Sequence, residues 1–414
     1  MSSQNPTASE QESSAGGARW RALAFLAAAE LLAMSLWFSA SASVPALKIE
    51  WRLTDSAASW LTLSVQLGFV AGTLVSALAN LPDVVNTRRL FTAAAILGAL
   101  ANAAFGLLAR GPSAGIPLRF ATGFFLAGVY PPGMKIMASW FRRGRGMALG
   151  VLVGALTLGK ASPYLVNALG GPSWRGHVLF VSLLAAGGGA IVLFFVGDGP
   201  YATGNAPFDI HQVGQVFRNR GVRLANFGYF GHMWELYAMW TWAPVMIRAS
   251  FAATGAPAAW AETASFLVLG AGAAGCVAAG LLADRVGRTA VASAALAVSG
   301  GCCLAIGFLF HASPALLLLV AVVWGAAVVA DSAQFSACVT ELGDPRYLGT
   351  ALTVQTCLGF LLTTLSIRLM PMLVEKVGWR YAFAFLAPGP VFGVLAMLRL
   401  RALPEAAKIA QGRR

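Results

Sequence analysis

Long apolar stretches, each separated from the next by a short polar segment, follow one another along the chain from Ala22 onward. Each is close to the roughly 20 residues that a helix needs to cross the hydrocarbon core of a membrane. The pattern therefore predicts twelve transmembrane helices, over residues 22–47, 57–78, 90–108, 116–139, 147–169, 177–196, 224–247, 263–283, 289–310, 314–339, 347–370 and 379–400. Residues 1–18 carry no apolar stretch, and we expect them to form a disordered tail.

The composition is that of a protein surrounded by lipid. Hydrophobic residues make up 58% of the 414 residues and charged residues 11%, against roughly 25% charged residues in ordinary soluble domains. This balance excludes a water-soluble globular protein. The five cysteines lie inside apolar stretches and lack the spacing of metal ligands, so we expect no metal site and no cofactor.

Basic residues are distributed in short clusters between the apolar stretches, although the net charge reaches +13. No single basic segment is long enough to bind nucleic acid, and we expect no such partner. With the N-terminus in the cytoplasm, 18 basic residues flank the cytoplasmic ends of the helices and 7 the opposite ends. Because positive charge accumulates on the cytoplasmic side, we expect a multi-pass protein of the bacterial inner membrane with both termini in the cytoplasm.

The two halves of the chain repeat each other. The segment Glu30–Trp37 (Glu-Leu-Leu-Ala-Met-Ser-Leu-Trp) matches Glu235–Trp242 (Glu-Leu-Tyr-Ala-Met-Trp-Thr-Trp) at an offset of 205 residues, and a Trp-Arg pair at 174–175 recurs at 379–380 with the same offset. Duplicated halves are typical of secondary transporters. We expect two six-helix bundles at 19–197 and 223–402, a cytoplasmic linker at 198–222 and a C-terminal tail at 403–414.

The segment Gly280–Arg288 (Gly-Leu-Leu-Ala-Asp-Arg-Val-Gly-Arg) resembles the signature loop that follows the second helix of each half in the major facilitator superfamily. Arg119 with Gly123 and Pro131 resembles the fourth-helix motif of that family, and Arg145–Gly150 its entry into the fifth helix. The resemblance covers the chain after residue 18. It implies an all-α membrane fold of twelve helices in two pseudo-symmetric bundles that work by alternating access.

A conformational latch is predicted at the two copies of the signature loop. The first-half copy keeps the acid and the basic pair but lacks the glycines. An acid just past a helix end, opposite arginines across a short turn, can hold the cytoplasmic faces of the two bundles together. The alternative role is a topology anchor that keeps positive charge inside. The candidate latch residues are Asp83, Arg88, Asp284, Arg285 and Arg288.

Ionisable side chains inside the predicted spans are costly and therefore indicate function. A rise of 1.5 Å per residue from the nearest cytoplasmic charge places Glu30 and Glu235 near the middle of the membrane. They occupy equivalent helices, which by the resemblance line the central cavity. A carboxylate that is poorly solvated when charged can load and release a proton near neutral pH, as a proton-coupled carrier requires. A structural carboxylate bonded by neighbouring helices is the alternative.

Four further residues are candidates for contact with substrate or protons. Lys160 could hold an anionic substrate, and Arg119 occupies the fourth-helix position that the resemblance connects with coupling or substrate contact. His232 lies three residues before Glu235 and could relay protons. Asp331 lies one turn before a glutamine in the tenth helix. Structural ion pairs, snorkelling to the headgroups and a packed core histidine are the alternatives.

These residues predict a secondary transporter, proton-coupled, for a small polar or anionic solute. The alternative is a proton-driven exporter of amphipathic compounds. We do not expect an enzyme, because the four histidines are scattered and no nucleophile lies beside a base. No phosphate-binding loop occurs, so we expect no role for ATP. The expected partners are the solute, protons and the lipid bilayer, with the chain acting as a monomer.

Overall fold

The computed structural model of the protein describes residues 8–141, 144–169, 173–201, 214, 217–344 and 348–413. Over these residues the chain is helical and contains no strand. The first helix begins at Ala8, inside the segment expected to be a tail, because alanine, glutamate and glutamine there favour helix. The expected linker at 198–222 lies largely outside the described residues.

Twelve helices, α1 to α12, cross the bundle within the described part of the chain. Among the first ten, three consist of several α-helical segments: α1 of Ala8–Met34, Ser39–Ala42 and Val44–Trp51, α4 of Pro112–Leu126 and Tyr130–Trp140, and α10 of Pro314–Ala330 and Ser332–Leu342. The single-segment helices are α2 (Asp55–Leu78), α3 (Thr87–Leu108), α5 (Arg145–Ala168), α6 (Trp174–Phe195), α7 (Arg220–Thr254), α8 (Ala258–Val286) and α9 (Arg288–Ala305).

The last two helices are separated at Gly378. The helical stretch Leu348–Ala382 is interrupted there, where φ is 68°, a left-handed conformation that glycine adopts without steric cost. We therefore count residues 348–377 as α11 and residues 379–401 as α12, whose final segment is Pro388–Arg401. The twelve predicted spans are thus all present as helices, with boundaries shifted by at most seven residues except at the start of α1, which begins at Ala8 instead of residue 22.

Eight stretches are apolar and long enough to span a membrane, and one of these covers both α11 and α12. The helices that fall short are α1, α4 and α7. Two of them, α1 and α4, are interrupted within the bundle, while α7 carries polar residues along much of its length. These three helices supply four of the candidate residues, namely Glu30, Arg119, His232 and Glu235.

Glycines let the second and fourth helices of each half touch backbone to backbone. A Cβ atom at Gly68 or Gly123 would lie 2.0 Å from a carbonyl oxygen across the α2/α4 contact. At the α8/α10 contact the same distances are 2.0 Å for Gly275 and 1.7 Å for Gly325. Since a real Cβ atom needs more than 3 Å, only glycine fits these four positions. The two halves therefore repeat one packing device, as their pseudo-symmetry predicts.

The two halves meet along two helix pairs that behave differently. The pair α5/α8 stays in contact along its length, from Gly146 beside Gly280 to Leu158 beside Gly270. The pair α2/α11 is in contact at Phe69, but separates toward the end of the bundle where α1 begins and α12 ends. We call that end the terminal face, and the other end the opposite face.

The glycine contacts generate a stability prediction. Gly123→Ala places a methyl group where there is room for none, so α2 and α4 must move apart at a cost of about 1–3 kcal/mol. We expect a lower melting temperature in detergent. Gly187→Ala is the matched control, because a Cβ at Gly187 meets nothing within 4 Å. Equal melting temperatures for the two variants would contradict the packing described here.

Candidate substrate cavity

A cavity of 810 Å³ lies between the two halves and extends to the terminal face. Near that face its wall includes Asn80 and Asn86 from the first half and Leu348 from the second. Its inner end is formed by α1, α5, α7 and α11, through Trp37, Lys160, Tyr237, Trp240 and Phe360.

Four aromatic rings close the cavity toward the opposite face. They are Trp37 of α1, Phe69 of α2, Tyr237 of α7 and Phe360 of α11, and neighbouring ring centroids lie 4.6–5.8 Å apart. We call this cluster the aromatic plug. Two rings come from each half of the chain, so the plug can hold only while the two halves are together at this depth.

Lys160 of α5 places its ammonium group at the inner end of the cavity. The Nζ atom lies 4.0 Å from the ring centroid of Trp37, 4.6 Å from that of Tyr237 and 5.0 Å from that of Trp240. It also donates a hydrogen bond to the Tyr237 hydroxyl. Among the described residues no carboxylate lies within 4.0 Å of it. The cation is thus solvated by aromatic rings and one hydroxyl instead of by a counter-ion.

Glu30 of α1 is completely buried, is not part of the described cavity wall and has no direct partner. Both carboxylate oxygens lack a hydrogen-bond donor within the described part of the structure. The side chain lies against α4, where a Cβ at Gly133 would be 2.7 Å from Oε2. Glu30 is close enough to Lys160 and Tyr130 to interact with both electrostatically.

Glu235 occupies the equivalent position of α7 but a different environment. Its Oε1 atom accepts hydrogen bonds from Ser299 Oγ at 2.5 Å, Trp324 Nε1 at 2.6 Å and Cys303 Sγ at 3.0 Å. These donors come from α9 and α10, so the carboxylate lies in the interior of the second half. It is not part of the cavity wall.

His232 and Asp331 form a buried pair behind the cavity wall. The distance from His232 Nδ1 to Asp331 Oδ1 is 2.9 Å, and each side chain is at most 2% exposed. Asp331 stands at the interruption of α10, whose neighbour Ser332 lines the cavity. The rings of Tyr229 and Phe335 lie beside the imidazole. The structure thus brings these two candidates together, one layer away from the solute space.

Arg119 supports the interruption of α1 and does not line the cavity. Its guanidinium donates to the carbonyl oxygens of Leu36 at 3.1 Å and Trp37 at 2.6 Å, to Asn102 Oδ1 at 2.6 Å and to Ser39 Oγ at 3.2 Å. Within the described residues no backbone N–H donates to the Trp37 carbonyl at the interruption, so the arginine supplies its donor. The Leu36 carbonyl also accepts from Ser39, and the arginine adds a second donor to it. Arg119 therefore fixes the turn from which Trp37 enters the aromatic plug.

Asp284 is the latch candidate that bridges the two halves. Its carboxylate lies over the first turn of α5, where a Cβ at Gly146 would be 2.7 Å from Oδ1. The N-terminus of a helix carries partial positive charge and stabilises an anion at this position. The neighbouring Arg285 is exposed.

The remaining latch candidates bind within their own halves. Arg88 pairs with Asp198, with 2.9 Å from Nε to Oδ1, and Arg288 pairs with Glu341, with 2.7 Å from Nη2 to Oε1. Both pairs border the cavity near the terminal face. The side chain of Asp83 lies outside the described residues, so its predicted role stays a prediction.

The model of the Major Facilitator Superfamily matches residues 26–246 and 225–414. The chain belongs to the major facilitator superfamily. The family prediction and the predicted fold class are thereby confirmed. No curated protein sequence matches the chain.

Two solved structures share the major facilitator fold of this chain. The proton:xylose symporter XylE bound to 6-bromo-6-deoxy-D-glucose superposes with a TM-score of 0.71 at 14% identity, covering 93% of this chain and 96% of that chain. A mutant of the nucleoside transporter NupG superposes with a TM-score of 0.68 at 15% identity, covering 92% of this chain and 99% of that chain. At these identities the likeness shows the fold alone.

Sequence reasoning did not identify Tyr237, although the chain contains a signal for it. In the repeated segment the first half has Leu32 where the second has Tyr237. Tyr237 thus differs from its counterpart in the first half, and it is the residue that binds Lys160 across the two halves. Such a difference within a repeated, cavity-lining helix is the signal that the sequence contains. The other plug residues, Phe69 and Phe360, carry no pattern that separates them from core phenylalanines.

Arg119 gives the prediction of this subsection. Arg119→Met removes the donor of the Trp37 carbonyl and one of the donors of the Leu36 carbonyl and of Asn102 Oδ1, at a cost of about 1–3 kcal/mol. We expect a lower melting temperature in detergent, with partial recovery in Arg119→Lys, which restores one charged donor. The matched control is Arg285→Met, which removes an exposed arginine. A variant Arg119→Met as stable as this control would contradict the assigned role.

Proposed function

We propose that this protein is a proton-coupled secondary transporter that moves a small anionic solute by alternating access. The observation that supports it most directly is the Lys160 ammonium, which lies at the inner end of the cavity without a carboxylate in contact. A cation inside the membrane costs several kcal/mol unless it is compensated. An anionic solute that enters from the terminal face supplies that compensation.

Charge balance inside the membrane offers a reason for proton coupling. When the site is empty, charged Lys160 and charged Glu30 together carry no net charge. When an anion is bound at Lys160, the site is again neutral only if Glu30 holds a proton. The two half-loaded states carry a net charge and are costly to bury. Because only the empty and the fully loaded states are neutral, anion and proton should cross together.

The aromatic plug supplies the gate for this cycle. The cavity is open toward the terminal face, while Trp37 and Phe69 meet Tyr237 and Phe360 across the junction of the halves. Rocking of one half against the other would part these rings and expose Lys160 to the opposite face. A single chain contains both halves and the cavity between them, so a monomer suffices.

The distribution of basic residues supports the orientation within this proposal. The sequence assigns 18 basic residues to the helix ends on the side where the chain begins and ends, and 7 to the other side. From this bias we infer that the terminal face lies in the cytoplasm of a bacterial cell, with the protein in its inner membrane. The structure then corresponds to a state open toward the cytoplasm.

Export of amphipathic compounds is the second candidate function. It is favoured by the size of the cavity, 810 Å³, and by its aromatic and methionine side chains. The same carboxylate would serve an exchange of protons for solute. Flux measurements in proteoliposomes with an imposed proton gradient separate the two functions, because acid uptake supports the first and extrusion of a lipophilic dye without acid flux supports the second.

Glu30 and Glu235 are predicted to respond differently to the same substitution. Glu30→Gln leaves this position uncharged and unable to bind or release a proton. We therefore expect that uptake of acids driven by a proton gradient is lost, while exchange of solute persists. Glu235→Gln replaces a carboxylate that accepts from three donors, so we expect lower stability with coupling retained. The measurement is gradient-driven uptake against exchange in proteoliposomes, with protein-free liposomes as blank.

The reverse result would transfer the coupling role to the second half. If Glu30→Gln accumulates solute as the parent does and Glu235→Gln does not, then Glu235 is the coupling carboxylate. If both variants accumulate solute, the pair of His232 and Asp331 becomes the next candidate, as the only other buried acid-base pair among the described residues.

The latch prediction concerns Asp284. Asp284→Asn removes the negative charge from the N-terminus of α5, so the halves should part more readily at the terminal face while solute affinity is retained. We expect faster hydrogen–deuterium exchange in residues 144–150. Asp198→Asn is the matched control, since this acid pairs with Arg88 of the first half and not across the junction of the halves. Equal exchange in these two variants would leave Asp284 as a topology anchor.

A further inference from the structure

The inner end of the cavity offers one positive charge. This charge is the ammonium group of Lys160. The other charged residues of the described wall lie nearer the terminal face. There Asp198 and Glu341 are already paired with arginines. A second carboxylate on a solute would therefore be buried without a cation, which is costly. The charge of the site matches an anion of a single charge.

Around this charge the wall is apolar and polarisable. Besides Lys160 and the Tyr237 hydroxyl, the inner part of the described wall is built mainly from aromatic rings and thioethers, among them Trp37, Phe69, Trp240, Phe360, Met34 and Met233. Its other polar groups are few: the indole N–H groups of Trp37 and Trp240 and the hydroxyls of Tyr130 and Tyr229. Asparagine, glutamine and threonine side chains occur in the wall toward the terminal face. Each buried hydroxyl of a sugar or nucleoside needs a hydrogen-bond partner, and the few polar groups of the inner wall, most of them donors on aromatic rings, cannot serve all of them, so such solutes do not suit the inner end. An apolar body does.

The volume of the cavity also exceeds what a small inorganic anion needs. At 810 Å³ it lies in the range of pockets that bind drug-sized organic molecules. An inorganic anion at Lys160 would leave the aromatic rings and methionines facing water. An organic body attached to the anionic group would cover them and gain the free energy of apolar burial.

We propose that the solute is an organic monoanion with an apolar body, whose carboxylate binds the Lys160 ammonium and whose body packs among the rings and methionines of the inner cavity. The proposal rests on the proposed function and names its substrate class. The carboxylate replaces the Tyr237 hydroxyl as the acceptor for the ammonium, because a charged acceptor binds an ammonium group more strongly than a neutral hydroxyl does.

Calorimetric binding to the purified chain in detergent at pH 7 tests this inference. The probes are linear monocarboxylates from acetate to hexanoate, together with nitrate, hexanamide and adipate. Hexanamide keeps the apolar body without the charge, and adipate keeps the length with a second charge. We expect affinity to rise about fourfold for each added methylene, and hexanoate to bind at least tenfold more tightly than nitrate, hexanamide or adipate.

Two lysine variants separate the cavity site from uptake into the micelle. Lys160→Met should lower hexanoate binding to the level of hexanamide, and Lys160→Arg, which keeps the charge, should retain the preference. Lys135→Met is the matched control, because Lys135 lines the same cavity nearer the terminal face. Should Lys160→Met fail to fold, the comparison of hexanoate with hexanamide on the parent protein decides the charge requirement.

The possible failures are distinguishable. Binding that depends on Lys160 but is independent of chain length, or that is as tight for nitrate or adipate as for hexanoate, overturns the substrate class and leaves anion transport standing. Binding that rises with chain length equally in the parent and in Lys160→Met, with hexanamide as tight as hexanoate, overturns the anion site and with it the proposed function.

Discussion

The burial of one ammonium group between two halves of a membrane protein is the constraint on which the cavity depends. Lys160 comes from the first half. The Tyr237 hydroxyl that it binds and two of its three ring contacts, Tyr237 and Trp240, come from the second half. In a medium of low dielectric constant these contacts replace hydration that the lysine has lost. They also join the halves at the depth of the aromatic plug. The same residue can therefore serve as anion site and as a contact that holds the gate closed.

Interrupted helices supply the geometry around this group. Helix α1 is interrupted between Met34 and Ser39, and Arg119 donates to the carbonyl groups of Leu36 and Trp37 within the interruption. Irregular backbone within a membrane persists only where protein or water covers its polar groups. The arginine therefore does not need a carboxylate partner, since carbonyl oxygens and an amide share its charge. A residue that the family resemblance connects with coupling has, in this structure, the contacts of a support for the plug.

Periodicity and internal repetition predicted the number of helices, the two halves and the burial of Glu30 and Glu235. Each of those features depends on residue type and spacing along one chain. The difference between Glu30 and Glu235 could not be predicted, because it depends on neighbours from other helices. One carboxylate meets three donors from α9 and α10 and the other meets Gly133 of α4. Sequence symmetry therefore gave both residues one role, where packing gives them two environments.

The two copies of the signature loop show how such asymmetry extends to motion. The complete copy, at Gly280–Arg288, lies where α5 and α8 stay in contact to the terminal face, with Asp284 over the first turn of α5. The copy without glycines follows α2, and there α2 and α11 part so that Asn80 and Leu348 both line the cavity. Glycines allow the close backbone approach that holds a helix pair together. The copy without glycines thus lies at the helix pair that separates. The complete copy lies at the pair that stays in contact, about which the halves can turn.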